Sequence, residues 1–95
     1  MRKAYILVYS DNLGSRAQVK ECIDNISEVI TWRCDMPNSF YLISENSANE
    51  IASAIHNYTG KTKFLVTEIT SNKQGWLSKD TWYLINNKKH QPKDK

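Results

Sequence analysis

The stretch AYILVYSDNLGS, residues 4–15, holds the local signals that decide the fold. Residues 5–9 are branched and aromatic without interruption, which is typical of a buried β-strand. The apolar run stops at the polar residues 10–12. Ser15, with Gln18 three positions later, forms a capping box and predicts the beginning of a helix. The stretch therefore predicts a strand, a loop and a helix in succession.

The rest of the chain shows the same kinds of signal. Three further strands are predicted, at residues 28–33, 39–44 and 63–70. Proline and asparagine within 35–38 predict a tight turn between the first two of these. The tetrapeptide SANE at 47–50 is a second capping box, and Gly60 is placed to end the helix that it opens. Each predicted helix has one apolar stripe: Val19, Cys22, Ile23 and Ile26 in the first, and Ala48, Ile51, Ala52, Ile55 and Tyr58 in the second.

The predicted order is β-α-β-β-α-β. This is the ferredoxin-like arrangement, an α+β fold with an antiparallel sheet and two helices on one of its faces. Residues 71–87 follow, and the segment TWYLI within them is compatible with either a short strand or a helix begun at Ser78. We predict one domain over residues 1–87 and a disordered basic tail over 88–95.

Length and composition indicate a single globular domain. The chain has 95 residues, of which 40% are hydrophobic and 24% charged. No window approaches the roughly 18 apolar residues of a membrane span, and the first apolar run is too short for a secretory signal. We therefore expect a cytoplasmic protein without a membrane partner. Cys22 and Cys34 have no metal-ligand spacing and are expected to be free thiols.

The predicted strands are apolar on both faces, although the ferredoxin-like arrangement covers only one face with helices. Exposing the second face would leave an apolar patch larger than the few hundred Å² that a monomer tolerates. We expect a homodimer with the C-terminal segment, residues 76–85, in its interface. Two alternatives are that this segment folds back over its own sheet and that nucleobases stack on the face. The predicted interface residues are Tyr5, Leu7, Tyr9, Tyr41, Trp76, Trp82, Tyr83 and Leu84.

Four segments carry a family resemblance: YILVYSDN, PNSFYLIS, FLVTEIT and GWLSKDTWYL. They resemble the superfamily of the CRISPR-associated adaptation protein Cas-two, together with the SinR-like and VapD-like proteins. The resemblance implies a ferredoxin-like homodimer whose sheets face each other and whose C-terminal strand contacts the partner. It also implies one of two activities, because some members are metal-dependent nucleases on RNA or DNA and others are non-catalytic DNA-binding scaffolds.

Asp11 is the candidate catalytic and metal-binding residue that the resemblance implies. In the family an aspartate directly follows the tyrosine that ends the first strand, and here Ser10 intervenes. Side chains alternate across a strand, so a shift of one position sends the carboxylate to the other face. A nuclease would need Asp11 from both protomers to hold Mg²⁺ and activate a water molecule. We interpret Asp11 instead as a turn residue, paired with Asn12 at the start of the loop.

Charge is distributed unevenly, since residues 1–60 carry five Lys/Arg against seven Asp/Glu and residues 61–95 carry eight lysines against three acids. Such asymmetry is compatible with an anionic partner. The candidate nucleic-acid-binding residues lie near predicted element starts and loops: Arg16, Lys61, Lys63, Lys73 and Lys79. Scattered surface lysines are the alternative interpretation.

The resulting hypothesis is a homodimeric, non-catalytic binding or assembly module that contacts nucleic acid and needs no cofactor. One alternative is an endonuclease that uses Asp11 and Mg²⁺. A second alternative is a protein-only adaptor in a defence, anti-defence or toxin–antitoxin system.

Overall fold

A computed structural model describes residues 1–92 of the chain. It contains four strands and three helices in these residues: β1 (Lys3–Tyr9), α1 (Arg16–Asn25), β2 (Thr31–Arg33), β3 (Ser39–Ser44), α2 (Ala48–Thr59), β4 (Phe64–Ile69) and α3 (Lys79–Asn87). The first six elements follow the predicted order, and α3 is added after them. The last three residues of the predicted tail, 93–95, lie outside the described residues.

The four strands form one antiparallel sheet in the order β2-β3-β1-β4. The predicted α+β class is confirmed. In the register at the centre of the sheet, Ile6 of β1 lies opposite Tyr41 of β3 and Thr67 of β4. The two central strands, β1 and β3, therefore have neighbours on both sides, and β2 and β4 form the edges.

The second strand is shorter than predicted. It covers Thr31–Arg33 rather than residues 28–33. The Ile30 N–H donates to the Ile43 carbonyl at 2.8 Å, so backbone pairing with β3 begins there. Two positions further back in the predicted strand, the Glu28 carbonyl instead accepts a hydrogen bond from the Ser44 hydroxyl. A side chain thus satisfies the backbone group that a longer strand would have paired.

The helix boundaries agree with the capping signals. Ser15 accepts a hydrogen bond from the Gln18 N–H at 3.2 Å, and the Gln18 side chain accepts one from the Ser15 N–H at 2.8 Å. Ser47 and Glu50 form the same reciprocal pair at the start of α2. Gly60 follows α2 with φ of 65°, a left-handed conformation that glycine adopts without strain. Both predicted capping boxes are confirmed.

Helices α1 and α2 cover one face of the sheet, and the main core lies between them. The strands supply Tyr5, Leu7, Tyr9, Phe40, Leu42 and Val66, and the helices supply Val19, Cys22, Ile23, Ile51 and Ile55. The Phe40 ring lies between the Tyr9 ring, with centroids 6.0 Å apart, and the edge-on Trp32 ring at 5.2 Å. Aromatic pairs at these separations add to the stabilisation from area burial.

Three of the predicted interface residues lie in this core instead, which corrects their predicted placement. Tyr5, Leu7 and Tyr9 are 2%, 0% and 5% exposed and pack in the core that α1 and α2 cover. The alternate positions of β1 point to the opposite face instead. Both sets of β1 side chains are apolar, so the sequence could not distinguish the set that meets the helices.

The central part of the opposite face is covered by α3. Leu84 and Ile85 pack against Ala4, Tyr41 and Ile43 of the two central strands. The Ser78 hydroxyl accepts a hydrogen bond from the Thr81 N–H at 3.3 Å and caps the helix. The segment TWYLI is therefore helical, and α3 folds back over its own sheet. This packing is the alternative to a place in a dimer interface, and it buries Tyr41 and Leu84 within the protomer.

Residues that follow α3 remain in contact with the body of the domain. The Lys88 carbonyl accepts a hydrogen bond from the Arg2 guanidinium at 3.0 Å. The His90 ring nitrogen Nε2 lies 2.6 Å from the Thr31 hydroxyl. Across residues 1–92, none of the helices has both the length and the apolar character that crossing a membrane requires.

The contribution of α3 to stability can be measured with one substitution. Leu84 is fully buried between α3 and the sheet, so Leu84→Ala should lower the free energy of unfolding by about 2–5 kcal/mol, because it removes apolar contacts and leaves a cavity. Urea denaturation followed by circular dichroism measures the change. Asn86→Ala, at an exposed position of the same helix, is the control and should change stability by less than about 0.5 kcal/mol. Equal effects of the two substitutions would show that α3 is not packed on the sheet.

Candidate interaction surface

Helix α3 leaves part of its sheet face exposed. Val8 of β1 and Leu65 of β4 are directly opposite each other in the register. Both project to the α3 face, because they alternate with the core residues Leu7 and Val66. Val8 is 46% exposed and Leu65 is 61% exposed. An apolar cross-strand pair on the β4 side of the sheet is thus left in contact with solvent.

An apolar groove lies on the same face, between the sheet and the segment that precedes α3. It has a volume of about 330 Å³. Its lining comprises Ile6, Tyr41 and Ile69 from the sheet, Trp82 and Ile85 from α3, and Met36, Lys73, Gln74, Gly75, Trp76 and Leu77 from the loops. Ile6 lies two positions before Val8 in β1, and Ile69 lies four positions after Leu65 in β4. We call the pair Val8 and Leu65, together with this groove, the uncovered face.

Trp76 is the most unusual side chain of the uncovered face. It is 95% exposed, whereas tryptophan is highly buried on average in folded proteins. Tryptophan presents a large rigid apolar surface with one polar N–H, which is why it is enriched in binding interfaces. Of the predicted interface residues, Trp76 is the one that the structure leaves open to a partner to the greatest extent. Trp82 and Tyr83 are partly buried on α3.

The loop that carries Trp76 has a local hydrogen bond at one end and a contact with another turn of the domain at the other. The Lys73 ammonium donates to the Thr70 carbonyl at 3.2 Å. At the other end, the Ser78 N–H donates to Asp35 Oδ2 at 3.1 Å, and the Ser78 hydroxyl lies 3.4 Å from Asp35 Oδ1. Asp35 belongs to the turn between β2 and β3. It therefore connects this turn to the beginning of α3 and fixes one side of the groove.

The pKa of Asp35 reflects this contact. Burial raises its pKa, but the hydrogen bonds from Ser78 and Thr81 and the charge of Arg33 together lower it more, so the pKa lies below the usual value. A carboxylate whose pKa is depressed in the folded state stabilises the fold above its unfolded pKa. That contribution is lost as the pH falls through the folded pKa.

We expect the thermal unfolding midpoint of the wild-type protein to fall as the pH is lowered below about 4. Asp35→Asn should reduce this dependence, because the amide does not titrate. Calorimetric scans between pH 7 and pH 3 measure both slopes. Asp80→Asn, at another exposed carboxylate near the start of α3, serves as the control. A wild-type slope that Asp35→Asn leaves unchanged would contradict the role assigned to the Asp35 contact.

Asp11 lies in the loop that follows β1. Two turns define this loop, with the Leu13 N–H donating to the Ser10 carbonyl at 3.0 Å and the Gly14 N–H donating to the Asp11 carbonyl at 3.2 Å. The Asn38 amide donates to Asp11 Oδ1 at 3.0 Å and to the Tyr9 carbonyl at 3.0 Å. The Asp11 carboxylate thereby helps to tie the end of β1 to the turn before β3. Within residues 1–92, no group of three or more His, Cys, Asp or Glu side chains is arranged to hold a metal ion.

The candidate nucleic-acid-binding residues occupy two regions of the surface. Arg16 lines a cavity of about 260 Å³ beside Asp11, and Lys61 lines a neighbouring cavity of about 440 Å³. Lys63 is close to this end of the sheet, because its carbonyl accepts the Ser10 N–H at 3.0 Å. The other two candidates, Lys73 and Lys79, lie near the two ends of the loop that precedes α3. The structure therefore does not bring all five together into one basic patch.

The two cysteines are free thiols, as predicted. Cys22 is fully buried in the main core, and this burial raises its pKa to about 11. A thiol with such a pKa carries almost no thiolate at neutral pH, so it is a poor nucleophile and metal ligand.

Val8, Leu65 and Met36 were not among the predicted interface residues, although they are exposed apolar side chains. The sequence feature that could have identified Val8 and Leu65 as exposed is their alternation with core positions of the same strands. It could not be used without knowing which face α1 and α2 cover.

No protein-family model, curated protein or solved structure matches this chain.

Proposed function

We propose that this protein is a homodimeric, non-catalytic binding or assembly module of the Cas-two/SinR-like type, with a ferredoxin-like fold. The strand order β2-β3-β1-β4 and the placement of α1 and α2 on one face support the fold assignment. The partner in the dimer is a second copy of the chain. A cytoplasmic location is consistent with two free cysteines, since reducing compartments keep thiols unpaired.

The uncovered face is the observation that carries this proposal. Leu65 and Val8 form an exposed apolar pair, and Trp76 stands almost free at the rim of an adjacent apolar groove. Burying one leucine side chain contributes about 1.5–3 kcal/mol relative to leaving it exposed. In a symmetric dimer each copy supplies the same surface, so an exposed side chain that lies in the contact contributes twice.

The surroundings of Asp11 support a non-catalytic role. Its carboxylate accepts a hydrogen bond from the Asn38 amide, and the same amide donates to the end of β1. This arrangement is that of a residue that stabilises a loop. An endonuclease that uses Asp11 and Mg²⁺ is the competing hypothesis, and an activity assay separates the two.

Multi-angle light scattering should give a solution mass of twice 11.0 kDa at micromolar concentration. Leu65→Ser should weaken the dimer at least about tenfold, because it removes apolar area from both copies. Tyr58→Ser is the matched control, since Tyr58 is a comparably exposed apolar residue on α2, away from the uncovered face. A wild-type monomer of 11.0 kDa at high concentration would overturn the homodimer.

Incubation with labelled RNA and with duplex DNA, in Mg²⁺ or in EDTA, tests the absence of nuclease activity. We expect no cleavage by the wild-type protein and no difference between it and Asp11→Ala. Metal-dependent cleavage that Asp11→Ala abolishes would overturn the non-catalytic assignment. Asn12→Ala controls for changes in the loop itself, because it alters the neighbouring side chain and keeps the carboxylate.

A further inference from the structure

Strand β4 presents a free backbone edge. It is the last strand of the sheet order and pairs on one side with β1. The Ser10 N–H donates to the Lys63 carbonyl, and hydrogen-bonded pairs recur at every second position of an antiparallel ladder. Leu65 and Thr67 therefore direct their backbone groups to β1. Phe64, Val66 and Glu68 direct theirs outward, and within residues 1–92 they make no backbone hydrogen bond beyond the sheet.

Apart from one charged residue, Glu68, this edge lacks the features that usually prevent strands from pairing between molecules. Natural edge strands carry proline, lysine, a bulge or a covering loop. The sequence of β4, FLVTEI, contains no proline, glycine or lysine. Its register with β1 runs without interruption from Phe64 to Ile69, so it has no bulge. Six residues are also a typical length for a regular strand.

The charges at the two ends of β4 favour antiparallel pairing with a second copy. Lys61 and Lys63 precede the strand, and Glu68 lies near its end. Antiparallel pairing places the acidic end of one copy beside the basic end of the other. Parallel pairing in register would instead place Glu68 opposite Glu68. Antiparallel pairing thus avoids the like-charge pair that parallel pairing in register would create.

Symmetry restricts the register. A two-fold axis perpendicular to the sheet can relate two antiparallel strands. Each residue then lies opposite a residue whose side chain points to the same face. Placing Val66 opposite Val66 satisfies this condition and puts Phe64 opposite Glu68. The outward-directed backbone groups of Phe64, Val66 and Glu68 then form about six hydrogen bonds across the axis.

We propose that β4 pairs antiparallel with β4 of a second copy, with the axis near Val66, and that the two four-stranded sheets form one continuous sheet. This inference rests on the homodimer proposed above and joins its two copies at the sheet edge. Edge pairing takes the place of the face-to-face arrangement that the resemblance implies, because α3 already covers the central strands of that face. In this register Leu65 lies opposite Thr67 of the other copy, and the two Leu65 side chains are diagonal neighbours about 7–8 Å apart. The pairing places the two uncovered faces side by side on one side of the continuous sheet. Of their exposed apolar side chains, Leu65 is the one that it brings against the other copy.

Charged substitutions at Thr67 test the proposed pairing of β4 with β4. It is exposed and lies beside the proposed axis, so lysines introduced at this position in both copies would repel. Thr67→Lys and Thr67→Glu should each give an 11.0 kDa monomer, and an equimolar mixture should restore a mass of twice that value. Ser53→Lys, at an exposed position on α2, is the control and should remain dimeric. Single variants that stay dimeric, or a mixture that stays monomeric, would overturn β4 pairing.

Amide hydrogen exchange measured by NMR reports directly on the hydrogen bonding of the outward N–H groups of β4. The N–H groups of Val66 and Glu68 should exchange slowly in the wild-type dimer and at least tenfold faster in the Thr67→Lys monomer. The N–H groups of Leu65 and Thr67, which bond to β1, should be slow in both and confirm that the sheet is intact. A wild-type dimer with fast exchange at Val66 and Glu68 would overturn the edge pairing and leave the homodimer standing. A wild-type monomer would overturn both proposals.

Discussion

The structure depends on the burial of both faces of β3. All six residues of this strand, Ser39–Ser44, are buried. Phe40 and Leu42 lie in the core with α1 and α2, and Tyr41 and Ile43 lie in the core with α3. A sheet that is apolar on both faces requires a covering layer on each, because its side chains alternate. The two serines at the ends of β3 are buried with hydrogen bonds to the backbone carbonyls of Met36 and Glu28.

The second layer is too small to cover the whole sheet. A helix with its side chains is about 10–12 Å in diameter, and neighbouring strands are about 4.8 Å apart. The nine residues of α3 therefore protect the central strands and leave the β4 side exposed. Val8 and Leu65 are exposed for this reason, and not because their strands are poorly packed. The uncovered face follows from this shortage of cover, whereas the free edge of β4 follows from its place as the last strand of an open sheet.

The polar residues mostly organise the loops that join these layers. Asn38 holds the end of β1 and the Asp11 carboxylate, while Asp35 holds the beginning of α3. Arg33 on β2 donates to the Thr81 hydroxyl at 2.8 Å, which adds a polar contact between α3 and the sheet. These contacts fix where α3 lies on the sheet, and so they also set the position of the groove beside Trp76. The carboxylates of Asp11 and Asp35 both accept hydrogen bonds that hold these loops.

The sequence by itself determined the order of the first six elements, both capping boxes and the end of α2 at Gly60, because these depend on interactions within a few residues. It also determined that the sheet is apolar on both faces. Only the tertiary structure decided which apolar set faces which layer, that residues 79–87 form a helix, and that this helix packs on its own sheet. Ala4 and Tyr5 are equally acceptable on either face of an isolated strand. Their assignment follows from contacts with residues far away in the chain, such as Leu84 for Ala4 and the α1–α2 core for Tyr5.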